Sequence, residues 1–408
     1  MRLAVVSPFV DRRHGTERAL AELLQRLALG YHCEIHLYSQ QVEDLSLNPP
    51  GAPRPEESGA IFWHKVPSVP GPHLLQFSAW FYLNRLKRYF DRFFRRISFD
   101  LVLSPGINCK DADIVIVHAL FHRLRELAAE ERDDFESQHS FFRRLHRRMY
   151  YGLVTHLERR VYSDPNVSLT AVSERTAKLL EEYFHRGDVH VIPNAVDTAQ
   201  FSLSARLARR AESRRRRNLA DNDFVLLLIG NDWRVKGLGT VLEAMASISD
   251  LPVQLLVVGN DAPEYFKARA KDLGVPDRCH WETPRDDVLE FYAAADAYVS
   301  PTREDAFALP PLEAMACGLP VITSVNNGGS QIITEGTDGF ILSDPCDRIA
   351  LANLLRRLFQ QPDLRRRIGE NAARTALAYT WERNAAAVWK LLEGAAARKR
   401  SCLLPGST

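Results

Sequence analysis

No two cysteines in this 408-residue chain stand at the spacing of a metal site or a disulfide framework; Cys33, Cys109, Cys279, Cys317, Cys346 and Cys402 are scattered. That argues against a zinc module and a stapled secreted scaffold, and it suits a reducing compartment. A charge surplus is missing too. With a formal net charge of +2, no global field points to nucleic acid, and any basic partner site must be local. No apolar run approaches the roughly 18 residues that would span a bilayer. Met1 to Pro8 reads as a short strand stopped by proline, not as the longer apolar region of a signal peptide. No Gly-x-Gly-x-x-Gly follows a strand, which removes a dinucleotide-dependent oxidoreductase. There is neither an internal repeat nor a low-complexity tract. The expectation is a cytoplasmic protein, soluble or resting at the inner face of a membrane.

What is present reads as α/β. Apolar residues make up 46% and charged residues 25%, ordinary for a globular chain, and the length suggests two domains of roughly 200 residues each. Short apolar runs bounded by Gly, Pro, Asp or Asn alternate with amphipathic stretches, the pattern of buried parallel strands. The first half offers strands at 3–7, 34–38, 101–104, 114–118 and 169–172. The second starts afresh at 224–230, then 253–259, 297–300, 320–323 and 340–342. Between them, Val191 to Asp197 with its Pro193-Asn194 turn, followed by a basic helical segment, has the character of a domain hinge.

The chemistry concentrates between Asp296 and Val321. A strand ends at Ser300-Pro301, and a loop follows with Glu304 and Asp305. Pro310-Pro311 suits the first turn of a helix, Gly318 suits its end, and Pro320 leads into the next strand. Asp305 therefore falls at a strand's carboxyl end and Glu313 just inside the helix. That edge of an open α/β sheet is where ligands bind, and a helix N-terminus presents N–H groups to an anion such as a diphosphate. Carboxylates are acceptors suited to sugar hydroxyls.

Acid, seven residues, acid, then Ala314-Met315-Ala316-Cys317-Gly318-x-Pro320-Val321 resembles the nucleotide-sugar motif of the family 4 retaining glycosyltransferases. The resemblance implies the GT-B fold: two doubly wound Rossmann-like domains with an interdomain cleft. It implies an acceptor-side domain over 1–193, a nucleotide-sugar donor domain over 194–382, and a C-terminal helix of about 383–398 packing back on the first domain. In the family the second acid, here Glu313, holds the donor ribose. The first acid, here Asp305, lies beside the donor sugar, and backbone amides around Ala306, Phe307, Ala308 and Leu309 contact sugar and phosphate. The family usually has Glu-Gly-Phe-Gly where this chain has Asp305-Ala306-Phe307-Ala308, so the acid is shorter and two glycines are replaced. Glu304 is the alternative first acid, although the spacing favours Asp305.

The same resemblance assigns supporting parts. Gly230-Asn231-Asp232-Trp233-Arg234-Val235-Lys236-Gly237 follows a strand, and its Arg234 and Lys236 correspond to the cations that neutralise the leaving nucleoside diphosphate. Asn231 stands where the family often has arginine. Asn326 to Ser330 resembles a glycine loop near the donor. Gly15, in His14-Gly15-Thr16-Glu17-Arg18, corresponds to the loop that lets the backbone approach donor phosphate and acceptor. His118, with His122 as rival, corresponds to the histidine that touches the donor sugar. Ser173 and Asn194 are expected to line the hinge. Family members use no enzyme nucleophile; the departing diphosphate helps deprotonate the acceptor.

The implied activity is retaining hexosyl transfer from a nucleotide sugar to a glycan or lipid-linked acceptor, in cell-envelope or surface polysaccharide synthesis. A catalytically inactive nucleotide-sugar-binding protein of the same fold is the alternative. No cofactor or metal is expected, because Asp111-Ala112-Asp113 precedes a strand and reads as a turn. Segments 77–99 and 141–151 mix aromatics with arginines and are candidates for contact with an anionic membrane. Nucleic acid is not an expected partner, since no recognised module accompanies those segments.

Overall fold

The computed structural model describes residues 1–48, 59–130, 141–285 and 287–403. It divides into two compact units, one of residues 1–193 with 381–408 and the other of residues 194–380.

The first unit is built on a seven-stranded parallel sheet. Its spatial order is Ala60–Lys65, Glu34–Ser39, Arg2–Val6, Leu101–Pro105, Ile114–Val117, Ser168–Ala171 and His190–Val191. The central strands are buried on both faces, so they read as continuous apolar runs rather than alternating ones. Trp80, Phe81, Leu157, Tyr162 and Phe184, from helices His73–Phe94, Phe141–Tyr162 and Glu174–Phe184, close the core on the sheet. The helix Trp381–Leu403 packs on the helix Gly15–Tyr31, with the Tyr31 and Trp389 rings stacked at 4.9 Å and Arg26 bonded to Glu382 at 2.9 Å.

The second unit repeats the scheme with six parallel strands. They run Cys279–Glu282, Val253–Val258, Phe224–Ile229, Ala297–Ser300, Val321–Ser324 and Phe340–Leu342. In both sheets the first strand is central and the chain builds outward to one side, then to the other. The reversal makes a switch point, where two neighbouring loops diverge and leave room for a ligand.

All ten expected strands are present to within a residue or so. Two longer ones, Ala60–Lys65 and Cys279–Glu282, went unread. Both lie at the edges of their sheets; CHWE has no apolar run, and AIFWHK breaks its own after four residues with His64 and Lys65. No helix among the described residues is long and apolar enough to cross a membrane.

Candidate donor-binding site

In the second unit the switch point lies between Phe224–Ile229 and Ala297–Ser300. The loops leaving these strands, 230–237 and 301–308, carry most of the residues singled out above. They are sewn together. The Val235 carbonyl accepts from the Arg303 amide at 2.8 Å and from the Thr302 hydroxyl at 2.9 Å. Gly237, at φ +79°, begins the helix Leu238–Ser247; a Cβ there would stand 2.2 Å from the Pro301 carbonyl oxygen, so only glycine permits this approach. Trp233 anchors the first loop. It is buried against Trp281, with ring centroids 5.4 Å apart, and its amide donates to Asp261 at 2.8 Å. That anchoring leaves Asn231 and Arg234 exposed and Lys236 half-buried. Asn231 is partly committed, since its side-chain oxygen accepts from the Asn260 amide at 2.9 Å.

Lys236 reaches across the switch point to the Asp305 carboxylate. The other oxygen of Asp305 accepts from the Phe307 amide at 3.1 Å, and its backbone bridges to Asn326 and Gly328. These ties place Asp305 at the meeting of the loops. Ala306 and Ala308 are absent from the residues with positive φ, and Ala308 lies at φ −64°. The backbone there does not demand glycine.

The helix after this loop, Leu309–Ala316, has prolines as its second and third residues. The first four N–H groups of a helix have no partner within it, and proline has none to offer. The donors remaining at this end belong to Ala308 and Leu309. Glu313 is the helix's fifth residue and only 3% exposed, so it is no solvated first-turn carboxylate. Its Oε2 accepts from the Tyr292 hydroxyl at 2.6 Å. Burial and the nearby carboxylate hold the Tyr292 phenol well above its usual range, keeping it a donor. Asn194 also serves this loop: its amide donates to the Phe307 carbonyl at 3.1 Å. Asn326 to Ser330 forms a short 3-10 turn, Gly328–Ile332, in which the Asn327 side chain caps the Gly329 amide at 2.9 Å.

In the first unit, Gly15 and His118 stand on the carboxyl edge of the sheet, with strand Leu101–Pro105 between the strands that precede them. Gly15 is the first residue of its helix; it is exposed, and a Cβ there would meet nothing within 4 Å. Neither backbone strain nor packing requires glycine at that point. His118 follows Ile114–Val117, and its Nδ1 is buried without a partner. Burial pushes its imidazole down to about 4 against an opposing bond to the Ile116 backbone, so it is neutral at pH 7. His122 is committed elsewhere: its Nδ1 lies 2.6 Å from Glu158, which also accepts the Phe121 and His122 amides at 2.6 and 2.9 Å. Ser173 caps the helix Glu174–Phe184.

Asp111 pairs with Arg88 at 2.7 Å, and Asp113 accepts from the Val102 amide at 2.7 Å, so both are structural. No group of three or more His, Cys, Asp or Glu among the described residues could hold a metal ion. Of the two basic aromatic segments, helix His73–Phe94 turns Tyr82, Tyr89 and Phe93 outward, each more than 60% exposed. In the second, Tyr150 faces inward to Phe77 and Phe121, while the side chains of Phe141 and Phe142 lie outside the described residues.

Paired Rossmann-like sheets with an acid-bearing helix at the second switch point define the class, the GT-B glycosyltransferases. The fold matches the crystal structure of WaaG, a glycosyltransferase involved in lipopolysaccharide biosynthesis, with a TM-score of 0.76 over 96% of this chain and all of that one, at 21% identity. Residues 13–200 match the family described as Glycosyltransferase Family 4, and residues 209–375 the family described as Glycosyl transferases group 1. The chain belongs to the family 4 glycosyltransferases. It is 34% identical over 162 residues to the lipopolysaccharide glucosyltransferase WaaG of Escherichia coli, covering 39% of this chain and 43% of that one. It is 27% identical over 241 residues to the D-inositol 3-phosphate glycosyltransferase of Corynebacterium urealyticum, 56% of each chain. These matches span about half the length of the curated relatives.

Proposed function

We propose that the chain transfers a hexose from a nucleotide-sugar donor to a glycan or lipid-linked acceptor, with retention at the anomeric carbon, in the assembly of cell-envelope polysaccharide. The observation that carries this reading is Glu313, a buried carboxylate oriented by Tyr292 on a helix at the ligand-binding edge of the donor sheet. Such a group is placed to accept from the ribose hydroxyls of a nucleotide. The amides of Ala308 and Leu309 face the diphosphate, and Arg234 and Lys236 balance its charge. Glucose is the first sugar to test, because that is what the similar enzyme from Escherichia coli is named for.

In the proposed step the bond from the sugar's anomeric carbon to the diphosphate oxygen breaks. The acceptor oxygen bonds to that carbon on the same face, and the acceptor's proton passes to the departing diphosphate. Stabilising that leaving group supplies the largest catalytic term, and the positive charge comes from the chain's own cations, without a metal. Neutral His118 then acts as a hydrogen-bonding partner of the sugar rather than as a cation. Alanine in place of the family's glycines at Ala306 and Ala308 would favour an inactive binding protein if the backbone needed glycine there, and at ordinary φ it does not.

The exposed stripe Tyr82, Leu86, Tyr89 and Phe93, flanked by exposed Arg85 and Arg92, supports peripheral docking on an anionic membrane that carries the acceptor. A nucleotide-sugar panel, read by thermal shift and by release of nucleoside diphosphate with and without chelator, tests the whole reading. Turnover unaffected by chelator and lost in Glu313→Ala supports it. A folded Glu313→Ala protein with unchanged turnover overturns it.

A further inference from the structure

We infer that Asp305 is the counter-ion of Lys236 and competes with the donor's diphosphate for it, so that the pair acts as a release latch. This rests on the donor site proposed above and adds a second role to Asp305 beside the sugar.

Three observations lead here. Both carboxylate oxygens of Asp305 are engaged, one by the Lys236 ammonium and the other by the Phe307 amide at 3.1 Å. The residue is also held by its backbone, its N–H bonded to Asn326 at 3.1 Å and its carbonyl to Gly328 at 2.8 Å. The carboxylate is thereby held in place beside the ammonium, with lone pairs left for a sugar hydroxyl. Second, the lysine chain lies over Gly230, where a Cβ would stand 3.0 Å from Lys236 Cε and 3.5 Å from Cγ. The missing side chain at Gly230 thus leaves the alkyl chain room there. Third, Lys236 immediately precedes Gly237, the N-cap of a ten-residue helix, Leu238–Ser247. A helix start carries partial positive charge, so ammonium and helix end together call for an anion.

Asp305 supplies that anion, and a nucleoside diphosphate offers the same charge in larger amount. Binding of the donor draws the ammonium from the carboxylate towards the phosphates. After transfer the carboxylate takes the ammonium back and weakens the hold on the product diphosphate. Aspartate suits this role because its short side chain can bond the amide two residues on and still face the lysine. No bond is made or broken beyond these ionic and hydrogen bonds.

Calorimetric binding of uridine, guanosine and adenosine diphosphates, which carry no transferred sugar, tests the latch. The variants are Asp305→Asn, Lys236→Met and the double substitution. Asp305→Asn is expected to bind the preferred diphosphate roughly three- to tenfold more tightly, on the scale of a partly exposed ion pair. Damage to the fold does not produce a gain of affinity. The gain should vanish in the Lys236→Met background, the signature of a coupled pair. In turnover, Asp305→Asn should show stronger product inhibition, with kcat reduced more than kcat/KM. An unchanged or weaker diphosphate affinity, with only the intact nucleotide sugar affected, overturns the latch and leaves Asp305 with the sugar alone. Wild-type protein that binds no nucleoside diphosphate overturns the donor-site reading and the latch together, whereas binding abolished by Glu313→Ala but unmoved by Asp305→Asn removes only the latch.

Discussion

The two sheets share one topology, yet the loops at their ligand edges are held in different ways. In the second unit, loops 230–237, 301–308 and 326–330 are cross-linked through Val235, Thr302 and Asp305, and behind them Tyr292 orients a buried Glu313. In the first, the corresponding loop ends in an Asx turn, with Asp11 accepting the Arg13 and His14 amides at 2.8 and 2.9 Å, and then reaches Gly15 in open space. One edge is prebuilt; the other leaves its backbone accessible. On the proposed reading, a common donor and a changeable acceptor ask for that division, because a preorganised site loses less on binding a fixed ligand.

Breaking the prebuilt edge should have the largest effect. Gly237→Ala forces a side chain into the Pro301 carbonyl at a left-handed φ. A loss on the order of 2–4 kcal/mol is expected, read as a lower Tm and loss of nucleotide binding. Next comes Glu313→Gln, which keeps an acceptor for Tyr292 but removes the charge; kcat/KM should fall roughly 10- to 100-fold, with Tm nearly unchanged. The open edge should behave in the opposite manner. Gly15→Ala has room and replaces glycine in a helix, so stability should hold or rise by up to about 1 kcal/mol, while transfer falls if the backbone there meets a ligand.

A smaller effect concerns Glu158, which fastens the start of helix Phe121–Glu130 just beyond His118. Burial raises its carboxyl to about 7, against the lowering effect of the two amides it accepts. The folded chain then holds this proton more tightly than the unfolded chain. Its contribution to stability therefore declines as pH rises from about 4.5 to about 7 and is level above that. In Glu158→Gln that window should disappear, so the difference in Tm between variant and wild type should move in the variant's favour across it. Smallest in its effect on the fold is Tyr89→Ser with Phe93→Ser: Tm should be unchanged, while binding to vesicles containing anionic lipid should weaken. Equal binding would detach that helix from the membrane reading.

How much was legible depended on whether a feature was local. The central strands stood out because both faces are buried, and Pro310-Pro311 with Gly318 marked a helix whose ends obey backbone rules alone. The edge strand Cys279–Glu282 did not stand out, since an edge position relaxes the demand for apolar residues. Tyr292 carried no signal at all. Nothing in Phe291-Tyr292-Ala293 says that its hydroxyl ends against a carboxylate 21 residues away. The replaced glycines were misleading in the other direction: Ala306 and Ala308 looked like an obstacle until their backbone angles showed none.

By itself the sequence determined the strands, the acid-to-acid spacing and the residue types at the ligand edge of the second sheet, because buried parallel strands, proline and glycine constrain the chain over a few residues at a time. Only the tertiary structure decided which of those residues meet. Asp305 finds Lys236 across 69 residues, and Asn194 finds Phe307 across 113. The order of strands in the sheet sets those meetings, through burial shared by distant segments, and no local rule of the backbone encodes it.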